Sequence, residues 1–227
     1  LLERYLNGEA DRSPCFVGAD QFIYYRQHDP LKRFAPDVYV IPGLDPGTRV
    51  RSWKVWKTGR APSFGLEVVS SHAWRKDYIE APERCDEAGF DELLVFDPEF
   101  ADRPGGEGAR FQVWRRQASG RFERVERHDR DRVRSEALGL WFRTAGFGDR
   151  MRLRIATGEN GEHLVPTAEE AERAEKEAER AEKEAARAEK EAARAEKEAE
   201  RAEKEAALQR LAELEARLRE LDPPHEG

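Results

Sequence analysis

A seven-residue repeat occupies the C-terminal part of the chain and leaves it a single regular conformation. The hexapeptide Arg-Ala-Glu-Lys-Glu-Ala begins at Arg173, Arg180, Arg187, Arg194 and Arg201. Alanines from Ala174 to Ala206 alternate spacings of four and three, the a/d pattern of a coiled coil with unusually small seam residues. Glu172 with Lys176 and Glu179 with Lys183 are i,i+4 pairs in the favourable order, each contributing roughly a few tenths of a kcal/mol. A charged heptad-repeat helix is therefore predicted over 167–222, finishing on Leu211, Leu214, Leu218 and Leu221, with a disordered tail over 223–227. An alanine seam buries little area at about 25 cal/mol per Å². Two readings stay open: a weak coiled coil, homo-oligomeric or with a protein partner through the leucines, and a lone solvated helix acting as a spacer.

The repeat also explains the charge. Residues 167–227 hold 13 of the 40 Lys and Arg and 20 of the 47 Asp and Glu, so the remaining 27 of each sign balance and the tail carries the whole net charge of −7. A neutral body exerts no global attraction on nucleic acid, and any phosphate binding requires a local basic patch. Cys15 and Cys85 lack metal-ligand spacing and read as reduced thiols. No apolar run of about 18 residues occurs, and no signal peptide opens the chain, so a soluble cytoplasmic protein with no membrane partner is expected. Leu1, Leu2, Tyr5 and Leu6 read as the middle of an amphipathic helix, and the expectation is that a segment precedes Leu1.

Residues 1–166 read as one α/β domain. Gln21–Arg26 and Val38–Ile41 are β-rich runs expected to be neighbouring strands, and Phe64–Val69 is a third. Asp77–Ala88 is a helix candidate closed by Gly89, with Pro82 expected to bend or shorten it. Leu93–Asp97 has the continuous apolar character of a strand covered on both faces. Arg110–Arg115 and Arg121–Arg127 read as a hairpin, and Leu138–Phe142 and Met151–Ile155 as further strands at the edge of the domain.

The candidate chemistry lies in Asp37 and Glu67. Pro36-Asp37 opens one predicted strand and Glu67 sits inside another, where adjacent strands can set two carboxylates side by side. Mg²⁺ needs anionic oxygen ligands and keeps several waters, and a carboxylate pair is the minimum that meets this. A strand acid flanked by Leu66, Val68 and Val69 is costly to bury without a compensating cation or hydrogen bonds. Trp53, Trp56 and Trp74 lie around the basic stretch containing Arg51, Lys54 and Lys57; such interleaving suits nucleic acid, although aromatic core residues over the sheet account for it better.

The segments Arg33-Phe34-Ala35-Pro36-Asp37-Val38-Tyr39-Val40 and Ala61-Pro62-Ser63-Phe64-Gly65-Leu66-Glu67-Val68-Val69-Ser70, followed by Asp77, Gly89, Glu92 and Asp97, resemble the Uma-two family of restriction-endonuclease-type proteins in the PD-(D/E)XK superfamily. The resemblance covers about Gly18 to Phe142. It implies a restriction-endonuclease-like mixed sheet flanked by helices, in the order α-β-β-β-α-β, with the long C-terminal helix appended. It further implies Asp37 and Glu67 as catalytic metal ligands, the Val68 carbonyl as a third, Mg²⁺ or Mn²⁺ as cofactor, DNA as partner, and Asp77 as a supporting acid.

The departure concerns lysine. The superfamily position two residues after Glu67 holds Val69, and the family alternative four residues after Asp77 holds Ala81; Cys85 replaces a usual tyrosine. Lys76, Lys54, Lys57 and His72 are the candidate substitutes, and Arg51, Lys54, Lys57 and Lys76 the candidate nucleic-acid contacts. Two functions follow: a metal-dependent DNA endonuclease with an altered site, or a catalytically silent binding module that keeps the nuclease fold. A third has Asp37 and Glu67 as structural acids.

Overall fold

The computed structural model describes residues 1–8, 12–71 and 74–221, and the chain divides into two units, Leu1–Val165 and Pro166–Gly227. His72 and the expected tail at 223–227 lie outside the described residues. In the first unit the elements are α1 (Leu2–Gly8), β1 (Cys15–Gly18), β2 (Ile23–Tyr24), β3 (Arg33–Phe34), β4 (Val38–Pro42), β5 (Trp53–Lys54), the single turn α2 (Val55–Thr58) and β6 (Phe64–Val68). A π-helical turn (Lys76–Glu80) then runs into α3 (Ala81–Ala88), followed by β7 (Glu92–Phe96), β8 (Phe111–Arg116), β9 (Phe122–His128), β10 (Arg132–Ser135), β11 (Leu140–Ala145), β12 (Arg152–Thr157) and β13 (His163–Leu164).

The main sheet has the order β1-β4-β6-β7-β8-β9; β1, β4 and β6 are successively antiparallel, and β6 runs parallel to β7 across the α3 crossover. Helix, three strands, helix, strand is the order the resemblance implies. Every residue of β7 is buried, which is why its sequence is apolar without alternation. Alternation in β4 and β6 separates two cores. Val40, Phe64 and Leu66 face the side where Phe142, Leu140 and Ile155 pack, with Phe64 and Phe142 stacked at 5.4 Å. Tyr39, Ile41 and Val69 face Cys85, Ala88 and Phe90 of the α3 side. Gly65 lies on that second side, where a Cβ would come within 2.8 Å of the Phe90 ring.

Three expectations need correction. Ile23–Tyr24 is not a neighbour of β4 but the centre of a separate three-stranded sheet, β3-β2-β5; the strand beside β4 is β1, too short and mixed in character to stand out. Leu138–Phe142 and Met151–Ile155 do contain strands, β11 and β12, but these lie not at the edge of the domain but in a second antiparallel sheet, β10-β11-β12-β13, that covers the first core. Pro82 does not shorten the helix: residues 74–88 are helical without a break, and the turn before Pro82, whose nitrogen cannot join the i→i−4 ladder, is the π-helical Lys76–Glu80. At the other end Gly89 adopts φ +82°, with Gly89 N–H donating to the Asp86 carbonyl and Phe90 N–H to that of Cys85, the bonding of a left-handed helix stop.

In the second unit α4 (Ala168–Leu221) is one helix of 54 residues, about 80 Å long at 1.5 Å per residue. Thr167 and Glu170 start it reciprocally: Glu170 N–H donates to Thr167 Oγ1 at 3.1 Å and Thr167 N–H to Glu170 Oε2 at 2.8 Å. The expected pairs Glu172–Lys176 and Glu179–Lys183 are formed, at 2.6 and 2.5 Å. Leu208, Leu211 and Leu214 stand exposed on it.

Candidate active site

Strand register builds the carboxylate pair. Val38 pairs with Leu66 in the antiparallel β4–β6 ladder, and one step beyond, Asp37 comes opposite Glu67. Both are on the α3 side of the sheet by the period of two. Asp37 Oδ2 accepts the Val68 N–H at 2.6 Å, which ties the end of β4 to the peptide following Glu67. Glu67 is 6% exposed. Burial first, and then the charges of Asp37 and Asp77, push its carboxyl up from 4.5 to about 8, with Lys76 and a hydrogen bond from the Asp37 backbone pulling the other way. The strand β6 supplies no cation of its own, and the Lys76 charge that reaches Glu67 comes from the π-helical turn.

Asp77 joins this pair from the π-helical turn, a geometry frequent at functional sites. It is 6% exposed, and burial raises its carboxyl above the usual range against the pull of Lys76 and a backbone hydrogen bond from Ser70. Asp37, Glu67 and Asp77 thus share one electrostatic neighbourhood. Lys76 is the cation that acts on both Glu67 and Asp77 while its own side chain stays exposed. Val69 and Ala81, at the two positions where the resemblance implies lysine, are buried in the apolar core on the α3 side at 3% and 4% exposure. Cys85 is wholly buried beside Glu67 and its thiol is pushed well above 9, so it offers neither a nucleophile nor a cation.

Among the described residues no group of three or more His, Cys, Asp or Glu side chains is arranged to hold a metal ion. What is present is two carboxylates and the Val68 peptide, a donor set short of positive charge. That set fits a hard divalent cation that retains several waters.

The other acids carried by the resemblance are structural. Asp97 is fully buried and takes Arg103 in a two-pronged pair, Nε to Oδ2 at 2.7 Å and Nη2 to Oδ1 at 2.8 Å, with the Tyr78 hydroxyl donating to Oδ2 at 2.8 Å. Glu92, 1% exposed, accepts Arg115 Nε at 2.7 Å and the Glu136 N–H at 3.0 Å, and bonds the Ser135 hydroxyl.

The basic and aromatic residues divide. Trp53 is core, 3% exposed, with its Nε1 donating to the Arg60 carbonyl at 2.9 Å. Trp74 is half-buried edge-on to Tyr78 at 5.5 Å. Trp56 and Lys54 instead line a groove with Tyr24 and Arg26, while Arg51 and Lys57 are exposed. Tyr24 and Arg26 were missed in the sequence, although Phe22, Tyr24 and Arg26 repeat with the period of one strand face.

No family model matches the chain, and no curated protein matches it. Four solved chains do. One is a candidate nuclease belonging to DUF820 from Anabaena variabilis, 14% identical with a TM-score of 0.39, aligned over 55% of this chain and 62% of that one. The chain therefore spans under two thirds of that structure's length, and similarity at this level leaves function to be argued from the chain's own residues.

Proposed function

We propose that this protein is a metal-dependent DNA endonuclease, hydrolysing phosphodiesters at the Asp37–Glu67 site. The observation that carries the reading is Glu67: a carboxyl 6% exposed, set opposite a second carboxylate and raised to about 8 by burial and like charge. Asp37, Glu67 and the Val68 carbonyl would hold Mg²⁺ or Mn²⁺. When bound, the ion supplies an activated water and neutralises charge developing on the phosphate. The chain's own contributions are distinct. Val68 N–H holds Asp37 in place, Asp77 adds negative potential from below, and the exposed Lys76 ammonium stands in for the lysine absent at Val69 and Ala81.

Cleavage of supercoiled plasmid in Mg²⁺ or Mn²⁺ tests the reading. Wild type is expected to nick, Glu67→Ala to lose activity by about 100-fold or more, and Lys76→Ala to lose about tenfold, within the span of a removed charge stabiliser. The burial of Val69 and Ala81 favours a second reading, a catalytically silent nuclease-fold binding module. Absence of nicking by wild type, with or without an Ala81→Lys replacement, would decide for that second reading; nicking only after the replacement would mark a degenerate site.

A further inference from the structure

The small sheet β3-β2-β5 has an inner and an outer side. Ile23, Phe34 and Trp53 are buried on the inner side, at 0%, 4% and 3% exposure, and close the core without help from the outer one. The outer side nonetheless carries aromatic rings and cations. Phe22 is 46% exposed, and the Arg33 guanidinium lies 4.7 Å from its ring centroid and 5.7 Å from that of Tyr24. Arg33 also donates to the Tyr24 hydroxyl at 3.0 Å, and Lys54 Nζ lies 6.0 Å from the Tyr24 ring centroid. Beside them opens a groove of about 330 Å³ whose walls include Tyr24, Arg26, His28, Ser52, Lys54 and Trp56. The acid in its wall, Asp29, is occupied in its own turn, where Oδ1 accepts the Leu31 N–H at 3.1 Å.

We infer that this groove seats one unpaired nucleotide of the substrate strand, the base against Tyr24 and Trp56 and its phosphate on Arg26 and Lys54. The inference rests on the nuclease reading for its choice of substrate and adds to it a preference for single-stranded or locally opened nucleic acid. The chemistry is specific in three respects. Aromatic faces flanked by cations match a base and its phosphate, and neither an apolar peptide nor a fatty chain needs the cations. The volume lies at the small end of ligand pockets, about 300 to 1,000 Å³, and admits a single base but no duplex. Arg33, which donates to the Tyr24 hydroxyl beside the groove, is four residues from Asp37, so the Cα atoms of the two are at most about 14 Å apart.

The test is binding of a fluorescein-labelled 15-nucleotide oligothymidylate to the full chain in EDTA, where no cleavage interferes, beside a blunt duplex and thymidine monophosphate. Wild type is expected to bind the single strand at least about tenfold tighter than either comparator. Trp56→Ala is expected to weaken it by about tenfold, within the range of one lost stacking contact. Arg26→Gln and Lys54→Gln should each weaken it a few-fold and reduce the dependence of log K on log salt by about 0.7. Trp56→Leu, which keeps an apolar side chain without the aromatic face, serves if Trp56→Ala melts early, and should weaken binding in the same sense. Unchanged affinity in the folded variants overturns the inference, as does tighter duplex binding; equal affinity for the monophosphate overturns the strand assignment. Loss of plasmid nicking with these binding differences intact would refute the nuclease reading while leaving the groove's assignment standing.

Discussion

Glu67 remains protonated in its surroundings until about pH 8 unless a cation joins it, whereas in the unfolded chain it ionises near 4.5. Between those values the folded protein binds the extra proton, so metal-free stability falls as pH rises through that window and the penalty is complete above it. The metal-free melting temperature is expected to drop by about 5 °C or more from pH 5 to pH 8, the scale of one or two kcal/mol in a domain of this size. Glu67→Gln should flatten that slope, and Mg²⁺ should restore the wild-type value at pH 8; a melting series with and without EDTA reads both. Asp97 poses the opposite case, a buried carboxylate already satisfied by Arg103 and Tyr78. Asp97→Asn takes from the buried guanidinium its two-pronged carboxylate, leaving it the longer ion pair to the half-exposed Glu99 at 3.7 Å, and should cost about 3 kcal/mol in urea unfolding. Both acids carried the same resemblance in the sequence. Only the groups packed around them tell the two apart: Asp97 has Arg103 and the Tyr78 hydroxyl against it, whereas Glu67 lies near the acids Asp37 and Asp77.

At the scale of elements, legibility followed periodicity. β6 and β7 were readable because apolar runs bounded by turn residues have few other solutions, and Gly89 marked the end of α3 by its left-handed conformation. β1 and β10, four residues each, carry too few alternations to be distinguished from loops. The π-helical turn that delivers Asp77 was not legible in the sequence, although Pro82, which follows it and has no N–H for the i→i−4 ladder, is the residue in that stretch that disturbs regular α-helical bonding. α4 lies at the other extreme. Its i,i+4 pairs are exposed and therefore open to screening. Raising salt from about 0.05 to 1 M, where the screening length shrinks from over 10 Å to 3 Å, should lower the helical circular dichroism signal at 222 nm measurably but not abolish it, since alanine propensity survives.

For the whole molecule, charge is segregated along the chain: a balanced body and a second unit bearing all of the net −7. A chain ending at residue 166 is expected to bind oligonucleotide a few-fold more tightly than the full chain at low salt, with the difference lost above about 0.5 M, where charges more than a few Å apart are screened. Fluorescence anisotropy at two salt concentrations checks it. The same linear distribution of information separates what the sequence determined alone from what it could not. The heptad helix and the central strands rest on local spacing, and local spacing fixes which residues share a face. Three things were decided only by tertiary structure: that Ile23–Tyr24 leaves the main sheet, that the positions expected to hold lysine are core, and that β4 pairs with β6 so that Asp37 comes opposite Glu67. Each depends on which distant segment packs where, and burial, which sets the cost of every charge, is a property of that packing and not of the order of residues.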